Sequence, residues 1–301
     1  MGNTWKETLD AGDVLLIDGG MGTELQRRGV PMNLESWSGT AARLHADTVQ
    51  KVHEDYIRAG AQVIITNTFG SNRMMLEGAG VGDEVVQINQ QAVQSALRAR
   101  ESSGDERITV AGSISPSPAK FDWTAYPARN VEMDAYRELA DILYEGGVDI
   151  IVLETMMDDV HSPLAMEAAL ETGLPVWLGV SCSEHPESGE VVSFSRQEIS
   201  FDVPLDALIP MGPAMVNIMH SEIHTIPRAI EMVRARWKGH LGVYPESGHF
   251  EKPNWQFVDV ISPADLVEEA RGWLDSGVHM LGGCCGTGPE HITALRDAFL
   301  S

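Results

Sequence analysis

Eight times along this chain a short apolar run gives way to a polar or glycine-rich stretch and then to a segment with helical periodicity. The runs are residues 13–18, 62–67, 108–113, 149–154, 175–182, 214–219, 240–244 and 278–281. Nearly continuous apolar character over so few residues is the pattern of strands buried on both faces, as in parallel sheets. Helical spacing of apolar residues follows at 22–28, 47–59, 83–100, 133–144, 162–171, 205–209, 226–237, 263–275 and 289–299. Asp47 reads as an N-cap, and Pro263 sits where a first helical turn tolerates proline. Residues 30–45, 183–201 and 245–260 read as loops or polar interruptions, and no linker or low-complexity tract divides the chain. Eight strand-then-helix units in 301 residues predict an α/β fold, a single (β/α)8 TIM barrel over residues 1–301. An open doubly wound sheet is the alternative, because periodicity does not distinguish a closed sheet from an open one.

Composition narrows the partners. With 21 Lys+Arg against 44 Asp+Glu the net charge is −23, which argues against nucleic acid or an anionic membrane as partner. Residues 1–12 carry Lys6, Glu7 and Asp10 and no apolar stretch, so no signal peptide is expected. No run approaches the roughly 20 apolar residues that span a bilayer. Three cysteines without a secretion signal point to a reducing, cytoplasmic setting with thiols free or metal-bound. The oligomeric state stays open, and a homo-oligomer is compatible with everything above.

A barrel gathers its chemistry at the C-terminal ends of its strands. Here those ends are Asp18, Asn67, Ser113, Glu154, Cys182, Asn217 with His220, Tyr244, and Cys284 with Cys285. Two adjacent thiols inside Gly282-Gly-Cys-Cys-Gly-Thr287 suggest soft-metal ligands or reactive thiolates, although small buried cysteines also pack as hydrophobes. A carboxylate following Ile150-Ile-Val-Leu153 is costly to bury without a partner, which marks Glu154 for the site. Asp18 before Gly19-Gly20 fits either a turn cap or the site.

Together these stretches resemble the homocysteine S-methyltransferase family, which includes betaine–homocysteine methyltransferase and the methyl-acceptor module of methionine synthase. The matching segments are Asp18-Gly-Gly-Met-Gly-Thr-Glu24, Thr66-Asn-Thr-Phe-Gly70, Leu153-Glu-Thr155, Val243-Tyr-Pro-Glu-Ser-Gly248 and Gly282-Gly-Cys-Cys-Gly-Thr287, in family order over nearly the whole chain. The resemblance implies a barrel, a catalytic zinc, and methyl transfer from a small onium donor such as S-methylmethionine, S-adenosylmethionine or betaine. The acceptor would be the thiol of homocysteine, or a similar thiol or selenol amino acid, in methionine biosynthesis. It further implies that Cys284 and Cys285 hold metal and that Glu154 takes the acceptor's amino group. Substrate positions would be Asp18, Gly19, Gly20, Thr23 and Glu24 of the first motif and Asn67 and Thr68 of the second. Asn217, Tyr244 and Ser247 lie further along, and Trp37 stands where a relative packs an aromatic ring on its cationic donor.

One position departs from the family. The third zinc cysteine is expected at Ile218, within Val216-Asn-Ile-Met-His220, and isoleucine binds no metal. His220, two residues on and so on the same side of an extended strand, is one replacement. Cys182 at the end of strand five is another. A third outcome is a site without stable zinc, serving a different transfer, a lyase or hydrolase reaction, or amino-acid binding alone.

Overall fold

The computed structural model describes residues 4–251 and 256–300. Eight strands make one parallel sheet: β1 (Leu15–Leu16), β2 (Val63–Ile65), β3 (Thr109–Ile114), β4 (Ile150–Met156), β5 (Val176–Val180), β6 (Met215–Glu222), β7 (Leu241–Glu246) and β8 (Met280–Leu281). Each pairs with its chain neighbour and β8 pairs with β1. The remaining gap between β1 and β2 is bridged by the parallel pair Ile17 and Val63. The sheet therefore curls into the (β/α)8 barrel that the repeat predicts, ringed by helices.

The pleat sorts the side chains into two cores. Leu15, Val63, Ala111, Ile150, Val152, Trp177, Met215 and Met280 fill the barrel interior. Their strand neighbours Leu16, Ile64, Val110, Ile151, Leu178, Val216 and Leu281 face outward against the helices. A helix at Thr4–Asp10, absent from the sequence reading, brings Trp5 and Leu9 into the interior set. Trp5 meets Trp177 edge-to-face at 5.1 Å.

Three helices, Ser162–Glu171, Pro263–Asp275 and Pro289–Phe299, have the bounds that periodicity and proline placement predict. Elsewhere tertiary contacts redraw the boundaries. The helix expected from Asp47 runs over Ala41–Ala59, broken by non-helical His45, so the break rather than the start lies near the Asp47 signal. A further helix forms at Arg73–Gly78. The fifth strand stops at Val180 instead of 182, and the polar interruption folds as an antiparallel sheet of Cys182–Glu184, Val191–Ser193 and Arg196–Ser200. Two short strands, His249–Glu251 and Gln256–Val258, pair in the last long loop. Trp255 and the side chain of His249 lie outside the described residues. Among the described residues no helix is long and apolar enough to cross a membrane.

Because Trp5 is 4% exposed and packed on Trp177, Trp5→Ala is expected to cost about 3 kcal/mol of stability. Urea unfolding at neutral pH checks this, and a loss below about 1 kcal/mol would mean that the short helix is a dispensable appendage.

Candidate active site

Two carboxylates line the barrel mouth. On β4 the alternation that buries Ile150 and Val152 in the barrel brings Glu154 to its mouth, 7% exposed, where Ser113 of β3 donates a hydrogen bond to it. Burial raises its pKa to about 7, against the opposing pull of that bond and of His220. Asp18 follows β1 and accepts a 2.8 Å hydrogen bond from the Ile65 amide. Burial pushes its carboxyl well above the usual range; the Ile65 bond works against this and the charge of Glu154 adds to it.

The glycines around the cysteine pair are required by space. A Cβ at Gly282 would lie 2.1 Å from Ile17, and one at Gly283 would lie 2.0 Å from Thr287 Oγ1. Gly286 has φ +85° and would press a Cβ to 2.1 Å from the Ser247 carbonyl. Several residues read as substrate positions also hold this loop. Thr23 Oγ1 accepts from the Gly286 amide at 3.1 Å, and the Ser247 amide donates to the Cys285 carbonyl at 2.9 Å. Glu24 pairs with Arg27 at 2.6 Å, and Arg27 in turn donates to the Gly286 carbonyl at 3.0 Å.

His220 reaches the cysteines by a route that strand alternation does not predict. Ile218, fully buried, packs with Val180, Val216 and Val243 on the helix side of the sheet. Met219 belongs to the barrel interior, with Cys284 packed against that set. His220 then adopts φ +43°, a left-handed conformation that breaks the alternation. Its Nδ1 lies 3.5 Å from Cys284 Sγ and 3.3 Å from Glu246 Oε2, with Phe194 edge-on to the ring at 4.6 Å. His220 is thus not on the side of Ile218, and a cysteine at 218 would face the helices. The ligand atoms of His220, Cys284 and Cys285 all lie within 4.8 Å of one another. Burial works to lower the imidazole pKa, but the charges of Glu246 and Cys284 outweigh it and raise it to about 9. The hydrogen bond that the Cys284 thiol makes as donor to Cys285, together with burial, holds that thiol well above its usual range. Cys182 is elsewhere: buried, its sulfur 4.0 Å from Thr225 Oγ1, and its pKa pushed up to about 11 by burial.

A cavity of about 680 Å³ joins these groups, from Asp18, Gly19 and Gly20 on one side to His220, Cys284 and Cys285 on the other, with Glu154 and Tyr244 also in its wall. Trp37, Phe69, Phe121 and Trp123 form a chain of rings across its mouth, successive centroids 6.4 to 6.5 Å apart. The Trp37 ring lies over Gly22, where any Cβ would come within 2.4 Å of it. Asn67 lines the cavity while bonding Ser38 through both amide atoms. Thr68 and Asn217 stay behind the wall. Thr68 bonds the Ser113 carbonyl at 2.8 Å, and the buried amide of Asn217 has no protein partner, between Gly179 and Gly242 in register. Of the seven non-glycine residues with positive φ among those described, six (Trp37, Lys120, Phe121, Thr155, Ser195 and His220) line this one cavity. Such strain persists where a site over-determines it. Sequence reasoning missed Phe194, Glu246, Lys120 and Phe121; only Glu246, inside the Tyr-Pro-Glu-Ser-Gly segment, carried a signal.

The homocysteine S-methyltransferase family model matches residues 15–299. The chain belongs to that family. A relative in maize, homocysteine S-methyltransferase 3, is 28% identical over 95% of this chain and 90% of its own length. Homocysteine S-methyltransferase YbgG of Bacillus subtilis is 27% identical over 97% of this chain and 96% of its own. The metallated form of the homocysteine methyltransferase MmuM from Escherichia coli superposes with a TM-score of 0.80 over 98% of this chain and 99% of its own, at 22% identity, a likeness of fold. A homocysteine S-methyltransferase-family chain is a methyltransferase, and the cavity above is the candidate site for that chemistry.

A carboxylate raised from 4.5 to about 7 binds its proton more tightly in the folded protein. The resulting stability is present at low pH and lost as pH rises from about 4.5 to 7. Glu154→Gln is therefore expected to raise stability by about 1–3 kcal/mol at pH 8 and by little at pH 4. Urea melts at both pH values test this, and equal effects at the two would contradict it.

Proposed function

We propose that this chain transfers a methyl group from a small onium donor to the sulfur of homocysteine, or to a similar thiol or selenol amino acid, with Cys284, Cys285 and His220 holding a zinc ion. The observation that carries the reading is the set of two thiols and one imidazole within 4.8 Å of one another, in the same cavity as Glu154. Two sulfurs and a nitrogen suit zinc, and three protein donors leave a position for a substrate sulfur, the pattern of catalytic sites. Zinc bound there would supply a thiolate at neutral pH from a thiol whose own pKa is near 8.5. A metallated form is named for the bacterial protein MmuM, which shares the fold.

The chain's own groups do the rest. Ionised Glu154, oriented by Ser113, holds the acceptor's ammonium, and the buried Tyr244 hydroxyl, without a protein partner, is available to the bound amino acid. Glu222, Glu246 and the ionised form of Glu154 give the cavity a negative field that favours a cationic donor, and the rings of Trp37, Phe69, Phe121 and Trp123 offer faces to its methyl-bearing charge. The sulfur lone pair of the acceptor forms the new bond to the methyl carbon. The old bond from carbon to the onium atom breaks, and its electron pair neutralises the leaving group as a thioether or amine. Positioning of the two reactants in line is what the cavity wall contributes.

Two experiments test this. Elemental analysis of protein purified with zinc under reducing conditions is expected to give about one metal ion per chain. His220→Ala should weaken metal affinity about tenfold or more, while Ile218→Cys leaves it unchanged because that position faces the helices. Methyl transfer to homocysteine by protein that holds no metal would reject the zinc. For the acceptor, kcat/KM should rise with pH through about 7 as Glu154 ionises. Ser113→Ala should move that limb upward, since the Ser113 bond favours the ionised form. A limb that stays in place after this change would remove Glu154 from the role.

A further inference from the structure

Three donors converge on the sulfur of Met219. The Thr155 amide reaches it at 3.2 Å, the Thr155 hydroxyl at 3.6 Å and the Ser181 hydroxyl at 3.0 Å. A thioether is a weak acceptor, so this concentration of donors needs a reason. Met219, Thr155 and Ser181 are each no more than 2% exposed, and a buried donor left without an acceptor is costly. The ends of β4, β5 and β6 thus meet at one atom, in the wall of the cavity that Met219 and Thr155 both line.

The strand register shows what this atom holds. β4 pairs with β5 at Leu153 with Leu178 and again at Met156 with Val180, so Glu154 and Thr155 together face the single residue Gly179. A bulge of this kind re-aims the side chains it contains. Here Thr155 takes φ +61° and its amide donates to Met219 Sδ. Gly179 has to be bare, because a Cβ there would lie 2.4 Å from the Leu153 carbonyl and 3.0 Å from Met219 Cγ. Methionine is ordinarily a flexible side chain. This one is pinned by Gly179 against its stem and by three donors on its sulfur. Glu154 is the other residue of the bulge, so its direction is set together with that of Thr155.

We propose that Met219 is a positioning residue for the acceptor's ammonium: its sulfur holds Thr155 in the left-handed conformation and so fixes the aim of the Glu154 carboxylate. Ser113 steadies that carboxylate from β3 through its own hydrogen bond, and Met219 steadies the backbone that carries it. The inference rests on the reading of Glu154 as the ammonium site, and neither the methyl donor nor a metal enters it.

The test uses two variants of the full chain. Met219→Leu removes the acceptor in a volume-conserving swap of the kind that cores tolerate, and Met219→Gln offers a carbonyl oxygen in place of the sulfur. Calorimetry compares the binding of homocysteine with that of 4-mercaptobutyrate, which differs only in lacking the amino group. Wild type is expected to bind homocysteine about tenfold more tightly, the worth of one charge-assisted hydrogen bond. Met219→Leu should cut that preference to about twofold or less, and Met219→Gln should retain most of it. A crystal structure of Met219→Leu should show Thr155 at negative φ and the Glu154 carboxylate displaced. Equal weakening of both ligands in Met219→Leu, with the preference intact, would make Met219 a packing residue and overturn the assignment. So would a Thr155 that stays left-handed with Glu154 in place. A wild type without any preference, together with a displaced Glu154 in the Met219→Leu structure, would uphold the positioning of Glu154 and reject its reading as the ammonium site.

Discussion

The pleat of the barrel strands is the constraint on which the site depends. Alternate side chains enter the barrel, so Val152 and Glu154 share one direction while Ile151 and Leu153 take the other. Depth along the strand then decides character: apolar residues close the interior, and the last inward position of β4 is free to carry a carboxylate at the mouth. The regularity also limits what the mouth can hold, because only every second residue is available. Where chemistry needs a residue of the wrong parity, the backbone has to leave the pleat.

It does so repeatedly. Thr155 after Glu154, and His220 at the end of β6, take left-handed conformations, as do Trp37, Lys120, Phe121 and Ser195 in the loops. None of these is a glycine, and each is unfavourable by itself. The surrounding structure holds them through packing and backbone bonds: Trp37 on bare Gly22, Lys120 tied to Glu35, Phe194 against His220. The buried carboxyls of Asp18 and Glu154 add a second cost, since no lysine or arginine pairs with them among the described contacts. A barrel with two extensive apolar cores can offset such local penalties, which is why strain and unpaired polar groups gather at the mouth.

Much of this was legible in the residues. The eight apolar runs mark all eight barrel strands, and proline at the first turn of 263–275 and 289–299 gives helix starts without error. Glu154 and Asp18 stand out because a carboxylate after an apolar run needs a reason. Other features were not legible. Cys182 reads as a strand end because the apolar run continues to it, yet β5 pairs only as far as Val180, and Cys182 starts a separate antiparallel sheet. Thr23, Glu24 and Ser247 lie in motif segments and still serve the cysteine loop from behind, a distinction made by which neighbour their hydrogen bonds meet.

The sequence by itself determined the eight strand-and-helix units, the two adjacent thiols among glycines, and the carboxylates at strand ends. These follow from local properties: hydrophobic period, side-chain volume and charge. Which group lies beside the thiol pair was decided by tertiary structure. Ile218 and His220 share a parity in any extended strand, and only a left-handed turn at His220 sends one to the helices and the other to Cys284. That turn is unfavourable in isolation and persists through contacts with Phe194, Glu246 and Cys284, which approach from three other segments of the chain.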